Sequence, residues 1–370
     1  MPELPDIAIY VERLAAFTRG HALTGVRIAS PFLVRTIAPA PAELVGRRVT
    51  EVGRLGKRLI LSFDGDVHAV IHLMIAGRLR WRPPGAKLPG RLGQAAFDFA
   101  HGTLLFTEAS KQKRASLHLV AGRAGLADFD RGGLDLFAAT PATFLAALTA
   151  DNHTIKRALT DPTIIDGVGN AYSDEILHAA RMSPFRQTRQ LTAADAAGLL
   201  TAAQTCLADW TARLRAEVGD GFPEEVTAFR PEMAVHGKYG QPCPRCGAPV
   251  QRIKYADNEC NYCAPCQTDG RLLADRGLSR LLKADWPKTL AALEERRATV
   301  RSGAPPPTRL TPPAPIPPAP TPPARLTPPA STLPAPPAAA PVASPASPPP
   351  APVPATPAPR SGVGKKPRRR

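Results

Sequence analysis

Two cysteine pairs, Cys243-Pro244-Arg245-Cys246 and Cys263-Ala264-Pro265-Cys266, stand sixteen residues apart. They constrain the chain more than any other stretch. Each CxxC knuckle turns two thiolates toward one point, and two knuckles at this distance close a tetrahedral site on a β-hairpin. Four thiolates leave no open coordination position, so the expected ion, one Zn2+ held by Cys243, Cys246, Cys263 and Cys266, is structural. A hairpin of this size cannot bury a core, and the metal supplies much of its folding free energy. Arg252, Lys254 and the turn Ala256-Asp257-Asn258-Glu259 form its fingers. Cys206 and Cys260 fall off the register: the first is expected as a small buried hydrophobe in a helix, the second as a spectator. Cysteines used this way suit a reducing cytosol better than a disulfide framework.

The opposite end of the chain reads Met1-Pro2-Glu3-Leu4-Pro5-Asp6. Removal of Met1 would leave Pro2 with a secondary amine whose pKa starts near the α-amino value of about 7.7–8.0, against about 10.4 for lysine. A neutral amine attacks a carbonyl or the C1′ of a sugar to give a Schiff base, and Glu3 stands beside it as an acid/base. The plainer reading is that Pro2 and Pro5 open a helix, with Asp6 favoured in its first turn by the helix dipole. Those residues alone favour the plainer reading; the remainder of the chain reverses the balance.

Ile7, Tyr10, Val11, Leu14 and Phe17 recur at helical spacing, predicting one amphipathic helix from Pro5 to Phe17. Short β-prone runs then alternate with Gly, Pro and Asp turns: Leu59 to Leu61, Val67 to Ile75, Leu79 to Trp81, Phe97 to Phe99, Leu104 to Phe106 and Leu117 to Val120. That rhythm predicts an antiparallel sandwich or barrel. Within it, Gly53 to Arg58 is a basic, glycine-flexed turn. Lys57 there can reach a phosphate or donate a proton, although spacing alone favours a solvated hairpin tip. From Thr140 the pattern turns helical, with N-caps at Thr140 and Thr192. Between them Gly167-Val168-Gly169-Asn170 opens a helix with free backbone N–H groups, an arrangement that suits phosphate. The expected fold class is α+β multidomain: an N-terminal helix plus antiparallel β-sandwich domain at 1–137, a helical domain at 138–225 and a zinc-finger β-hairpin domain at 226–298. A disordered Pro/Ala-rich basic tail is expected at 299–370.

The formal net charge of +16 is unevenly spread. From Gly303 onward there are basic residues and no acidic ones, and more than half of the 44 prolines lie there. Such a segment cannot form a packed core, and its basic end adds weak, salt-sensitive affinity for DNA. The rest of the chain is still basic, as suits a partner of polyanions. No apolar run is long enough to span a bilayer, and the beginning lacks the basic-then-apolar layout of a signal peptide. The expected setting is the cytoplasm.

Taken in order, these pieces resemble the bacterial formamidopyrimidine/endonuclease VIII-type DNA glycosylases over about Met1 to Arg297. The resemblance rests on Pro2-Glu3-Leu4-Pro5, Lys57 in its Gly-Lys turn, the helix-two-turn-helix signature Gly167-Val168-Gly169-Asn170-Ala171-Tyr172, and the finger ending Cys266-Gln267. The Glu-Leu-Pro opening is closer to the formamidopyrimidine branch. The resemblance implies a monomeric base-excision-repair enzyme that acts on damaged double-stranded DNA, flips out an oxidised base, attacks C1′ with Pro2 and nicks the strand by β-elimination. Glu3 would be the acid at the sugar, Lys57 would bind phosphate and assist proton transfer, and Asp6 would supply a carboxylate where the family often has Glu. Lys156 and Asn170 match positions that hold the phosphates flanking the lesion, and the zinc hairpin, with Lys254, lies on DNA.

The sequence also departs from the family. Asn258 stands where an arginine often contacts the lesion phosphate, so β-product should dominate over β,δ-product. Ile75 occupies the position of the void-filling methionine, with Met74 one place early, and can wedge apolar bulk into a base step. The family's Arg-Arg-Phe-Gly segment is replaced by Ser110-Lys111-Gln112-Lys113-Arg114, leaving Lys111 and Arg114 as the DNA-facing cations. Gly219 to Val226 is short for a base-covering loop. Two other readings follow: action on abasic sites, oxidised pyrimidines or crosslinked lesions, and a non-catalytic damage-binding protein. A binder would need none of Pro2, Glu3 and Lys57.

Overall fold

A computed structural model describes residues 1–255, 258–274, 280 and 286–302; the expected disordered tail lies, from residue 303 on, outside these. The first helix, α1 (Leu4–Thr18), starts within one residue of the predicted position, with Pro5 in its first turn and a capping box in which the Glu3 amide donates to Asp6. Its apolar stripe faces two ways. Ile7, Tyr10 and Leu14 enter the core of the β region, whereas Leu4 enters the core of the helical region.

The β region is two four-stranded antiparallel sheets. One has the order β1 (Leu23–Ile28), β6 (Gly93–Phe99), β7 (Gly102–Glu108), β5 (Gly77–Arg82); the other is β2 (Val49–Leu55), β3 (Arg58–Phe63), β4 (Val67–His72), β8 (Ser116–Ala121). Alternating residues such as Leu59, Leu61, Ile71, Phe97, Leu104 and Leu117 bury between them. The run predicted as one strand from Val67 to Ile75 ends at His72, because Leu73 to Ala76 make a turn with Met74 at φ +53°.

Helices α2 (Pro141–Thr149), α3 (Ile155–Thr160), α4 (Asn170–Ala179) and α5 (Ala193–Val218) pack a second core around Phe144, Leu159, Ile176, Leu199 and Leu207. Thr140 and Thr192 cap α2 and α5 as their sequences predict. The hairpin β9 (Gln251–Tyr255) and β10 (Asn258–Tyr262) leads into the short α6 (Ala264–Thr268). A last helix, α7 (Leu290–Ser302), runs past Arg297, where the sequence pattern stops. Among the described residues no helix is long and apolar enough to cross a membrane.

Candidate active site

Glu3 is 3% exposed, and its carboxylate sits on the amino-terminal end of α4. Oε2 accepts from the amides of Gly169 at 2.7 Å and Tyr172 at 3.2 Å, and Oε1 from Ala171 at 2.9 Å. Bonds from backbone N–H to a carboxylate at a helix start are among the stronger ones available to a side chain. The glycines before α4 exist to permit this approach. A Cβ on Gly169 would meet the Glu3 carboxyl at 2.5 Å, and one on Gly167, which has φ +77°, would meet Leu4 at 2.6 Å. The backbone completes the join, Leu4 N donating to Gly167 O at 3.0 Å.

Lys57 is indeed at a hairpin tip, the two-residue Gly56-Lys57 turn between β2 and β3. It is not a solvated one, because Lys57 Nζ donates to Val168 O at 2.8 Å. Burial lowers the Lys57 pKa, with Glu3 and Asp166 opposing the shift. Arg54 in β2 holds Asp166 at 2.5 Å, so the sandwich grips the same Gly167-containing loop twice. Pro2 is buried where these elements meet. The amine of Met1 next to it is pushed below its ordinary range by burial; Glu3 and Asp6 oppose that shift, and Arg78 and Lys57 reinforce it. A cavity of about 240 Å³ opens beside Met1, lined by Lys57, Arg58, His72, Arg131 and Asp166 among others. Asp6, 4% exposed, also faces Arg230 at 3.6 Å.

The remaining site residues divide. Ile75 projects from its turn with 60% exposure, and Lys111 and Arg114 are exposed on a loop organised by buried Glu108, which accepts from the amides of Arg114 and Ala115. Lys254 and Asn258 are exposed on the hairpin, Asn258 beginning β10 rather than standing in the turn; Ala256 and Asp257 lie outside the described residues. Asn170 spends its amide N–H on Glu259 O at 2.7 Å, tying α4 to the hairpin.

Lys156, expected on a phosphate, is turned inward. Its Nζ donates to Asn170 O at 2.7 Å, Ser173 Oγ at 2.8 Å and Asp174 Oδ1 at 2.6 Å, leaving no donor for an outside anion. The physical reason is Asp174, fully buried and in need of a cation. Burial would raise its carboxyl, but Lys156 and His236 outweigh this and hold it below the usual range. Asp174 also accepts from His236 Nδ1 at 2.8 Å and from the Asn261 amide at 3.1 Å.

The sequence reading missed Asp174 and its neighbour Glu175, whose carboxylate accepts from the amides of Ala234, Val235 and His236. Two adjacent acids one turn into the helix that follows the glycine signature were the available signal. It also missed the anchoring of Gly219 to Val226. Phe222 packs against Tyr10, Phe17 and Trp81, Arg82 pairs with Glu224 at 2.6 Å, Arg78 donates to Val226 O at 2.7 Å, and Arg13 reaches the carbonyls of Asp220 and Gly221.

Cys243, Cys246, Cys263 and Cys266 could hold a metal ion: their sulfurs all lie within 4.8 Å of one another. Cys243 to Cys266 is 4.0 Å and Cys246 to Cys263 is 3.3 Å, close to the edge of about 3.8 Å expected when four thiolates sit about 2.3 Å from one ion. The donor set therefore fits. Cys260 is fully buried with Ile253 and Tyr262, and Cys206 is half-buried on α5.

The architecture of helix, double sheet, helical region and cysteine hairpin defines a class already seen in solved structures. The Lactococcus lactis Fpg in complex with an abasic site containing DNA matches with TM-score 0.64 and 25% identity, over 72% of this chain and 99% of that one. A MutM in complex with carbocyclic 8-oxo-G containing DNA matches at TM-score 0.63 and 25% identity, over 72% and 100%. In sequence, residues 1–115 match the formamidopyrimidine-DNA glycosylase N-terminal domain and residues 136–213 its H2TH domain. The formamidopyrimidine-DNA glycosylase of Thermus thermophilus is 32% identical over 287 residues, 73% of this chain and 100% of that protein. An uncharacterized formamidopyrimidine-DNA glycosylase-like protein of Mycobacterium tuberculosis is 44% identical over 140 residues, 38% of this chain and 87% of that protein. The chain belongs to the formamidopyrimidine-DNA glycosylase family, DNA glycosylases of base-excision repair.

Proposed function

We propose that the protein is a bifunctional DNA glycosylase and AP lyase that acts on oxidised bases in double-stranded DNA through a Schiff base at Pro2. The observation that carries this reading is the convergence on one loop, Asp166 to Asn170, of Glu3, the Lys57 ammonium and the Arg54 clamp. A binding module has no use for a buried amino terminus flanked by an acid and a lysine.

In the proposed reaction the free Pro2 nitrogen attacks C1′ of the flipped nucleotide, forming the C1′–N bond as the glycosidic bond breaks and the base leaves with the bonding pair and a proton. The sugar ring opens to an iminium, loss of the C2′ proton follows, and the 3′ phosphate departs in β-elimination. Burial, Arg78 and Lys57 disfavour the charged form of the Met1 amine; the same surroundings acting on a freed Pro2 amine would suit a nucleophile. Glu3, fixed on α4, would act as the acid at the sugar and Lys57 as the phosphate contact, with Asp6 holding the Glu3 amide in place. Ile75, Lys111, Arg114, Lys254 and Asn258 are exposed and suited to contact the duplex. Asn170 acts through the hairpin, and Lys156 acts through Asp174 rather than by touching phosphate. The thiolate set suits one structural Zn2+, which would fasten the hairpin and take no part in the chemistry.

A second reading of the substrate, toward abasic, pyrimidine or bulky lesions, is favoured by the short Gly219 to Val226 segment being tied down on the sandwich. Borohydride trapping on duplexes carrying an abasic site, 8-oxoguanine, a formamidopyrimidine or an oxidised pyrimidine tests both. A covalent adduct lost in Pro2→Gly is expected, and the best-trapped duplex names the lesion class. Tight binding with no adduct on any duplex would replace the enzyme reading with that of a damage-recognition protein.

A further inference from the structure

Helix α4 carries contacts to the amino terminus at its start, through Gly169 to Tyr172, to the cysteine hairpin through Asn170 and Asp174, and to the segment ahead of the first knuckle through Glu175. Its last turn bears His178, a residue that the proposed chemistry leaves without a role. His178 is 4% exposed, and its Nε2 lies 3.3 Å from Cys243 Sγ. We propose that His178 is an outer ligand of the metal centre, its Nε2–H donating to the Cys243 thiolate and fastening the first knuckle to α4.

A metal-bound thiolate carries no proton, so it can only accept. The proton between the two atoms must therefore belong to Nε2. The contact is reciprocated. Arg245, inside the same knuckle, donates from Nη1 to the His178 carbonyl at 2.8 Å, which also accepts from the Arg181 amide at 3.2 Å, so the knuckle is tied to the last turn of α4. One turn earlier, Glu175 takes the three amides of Ala234 to His236, and Val235 packs with Cys243, Val250 and Cys263 in a small apolar cluster. The N–H···S contact thus sits in a dry setting where it is not diluted by solvent. Four thiolates on a divalent ion leave the centre negative, and a fixed donor on one of them relieves that charge without occupying a coordination position. Partners of this kind typically change metal affinity about 10–100-fold.

The proposal rests on the reading that the four cysteines hold a metal. The test compares the wild-type chain with His178→Phe, which fills the space without a donor, and His178→Gln, which restores an N–H. Zinc release to a chromophoric chelator should be about 10–100-fold faster in His178→Phe and near wild type in His178→Gln. In the cobalt-substituted proteins the thiolate-to-cobalt absorption band should shift only in His178→Phe. Release and band both unchanged in His178→Phe would overturn the role of His178 alone, whereas a wild-type chain that binds neither zinc nor cobalt would overturn the metal reading itself. A measurement on the wild type covers the case in which a variant fails to fold. In the 113Cd-loaded protein the His178 ring should be the Nε2–H tautomer, with its proton coupled to cadmium across the sulfur. An Nδ1–H tautomer would overturn the proposal.

Discussion

Burial pushes the Asp6 carboxyl up from 3.8 to about 6, with the bond from the Glu3 amide and the charge of Arg230 opposing the rise. Because the folded value exceeds the unfolded one, folding favours the protonated form. The stability this group contributes is complete below about 3.8 and is lost as pH rises through about 6, amounting to about 3 kcal/mol at 1.36 kcal/mol per pH unit. Asp6→Asn should accordingly gain up to that amount at pH 8 and almost nothing at pH 4, and urea unfolding at the two pH values measures the difference. Gly169 offers a second test. An alanine there places a methyl group against a carboxyl already held by three amides. Gly169→Ala should cost about 1–2 kcal/mol, as the loss of a helix cap does, and lower turnover at least tenfold on an abasic duplex; wild-type turnover would mean that the seating of Glu3 is immaterial. The sequence made Glu3 and Lys57 legible because both belong to short local motifs. It misplaced Lys156 because its partner Asp174 lies on another helix, and nothing local distinguishes a buried lysine from one that faces phosphate.

At the scale of elements, the strands with fully apolar inward faces, such as β3, β4 and β7, were visible in the pattern of residues. The strands β1 and β2 were not. Each is the edge of its sheet and carries Gly25 or Gly53 and charged residues in place of clean alternation. The hairpin of β9 and β10 was legible through its cysteines, since the metal spacing, unlike a strand pattern, is a covalent-scale constraint. The first residue of β10, Asn258, is one of the departures from the family. An amide there brings no cation to the lesion phosphate, so an abasic duplex should yield mostly β-product, and Asn258→Arg should raise the β,δ fraction. Complete β,δ conversion by the wild type would show that δ-elimination proceeds without a cation at this position.

For the whole molecule, about half of the excess charge lies beyond residue 302, where basic residues have no acidic counterpart. Truncation after Ser302 should leave turnover on an abasic duplex unchanged, while weakening low-salt affinity and flattening its dependence on salt. A truncated protein that binds normally but no longer turns over would place chemistry in the removed segment. The short segment from Gly219 to Val226 bears on association in another way. With Phe222 seated among aromatic rings and its backbone carbonyls taken by Arg13 and Arg78, it is ordered before anything binds. The entropy lost in ordering it therefore belongs to folding, and the heat capacity of association should carry no disorder-to-order contribution from that loop.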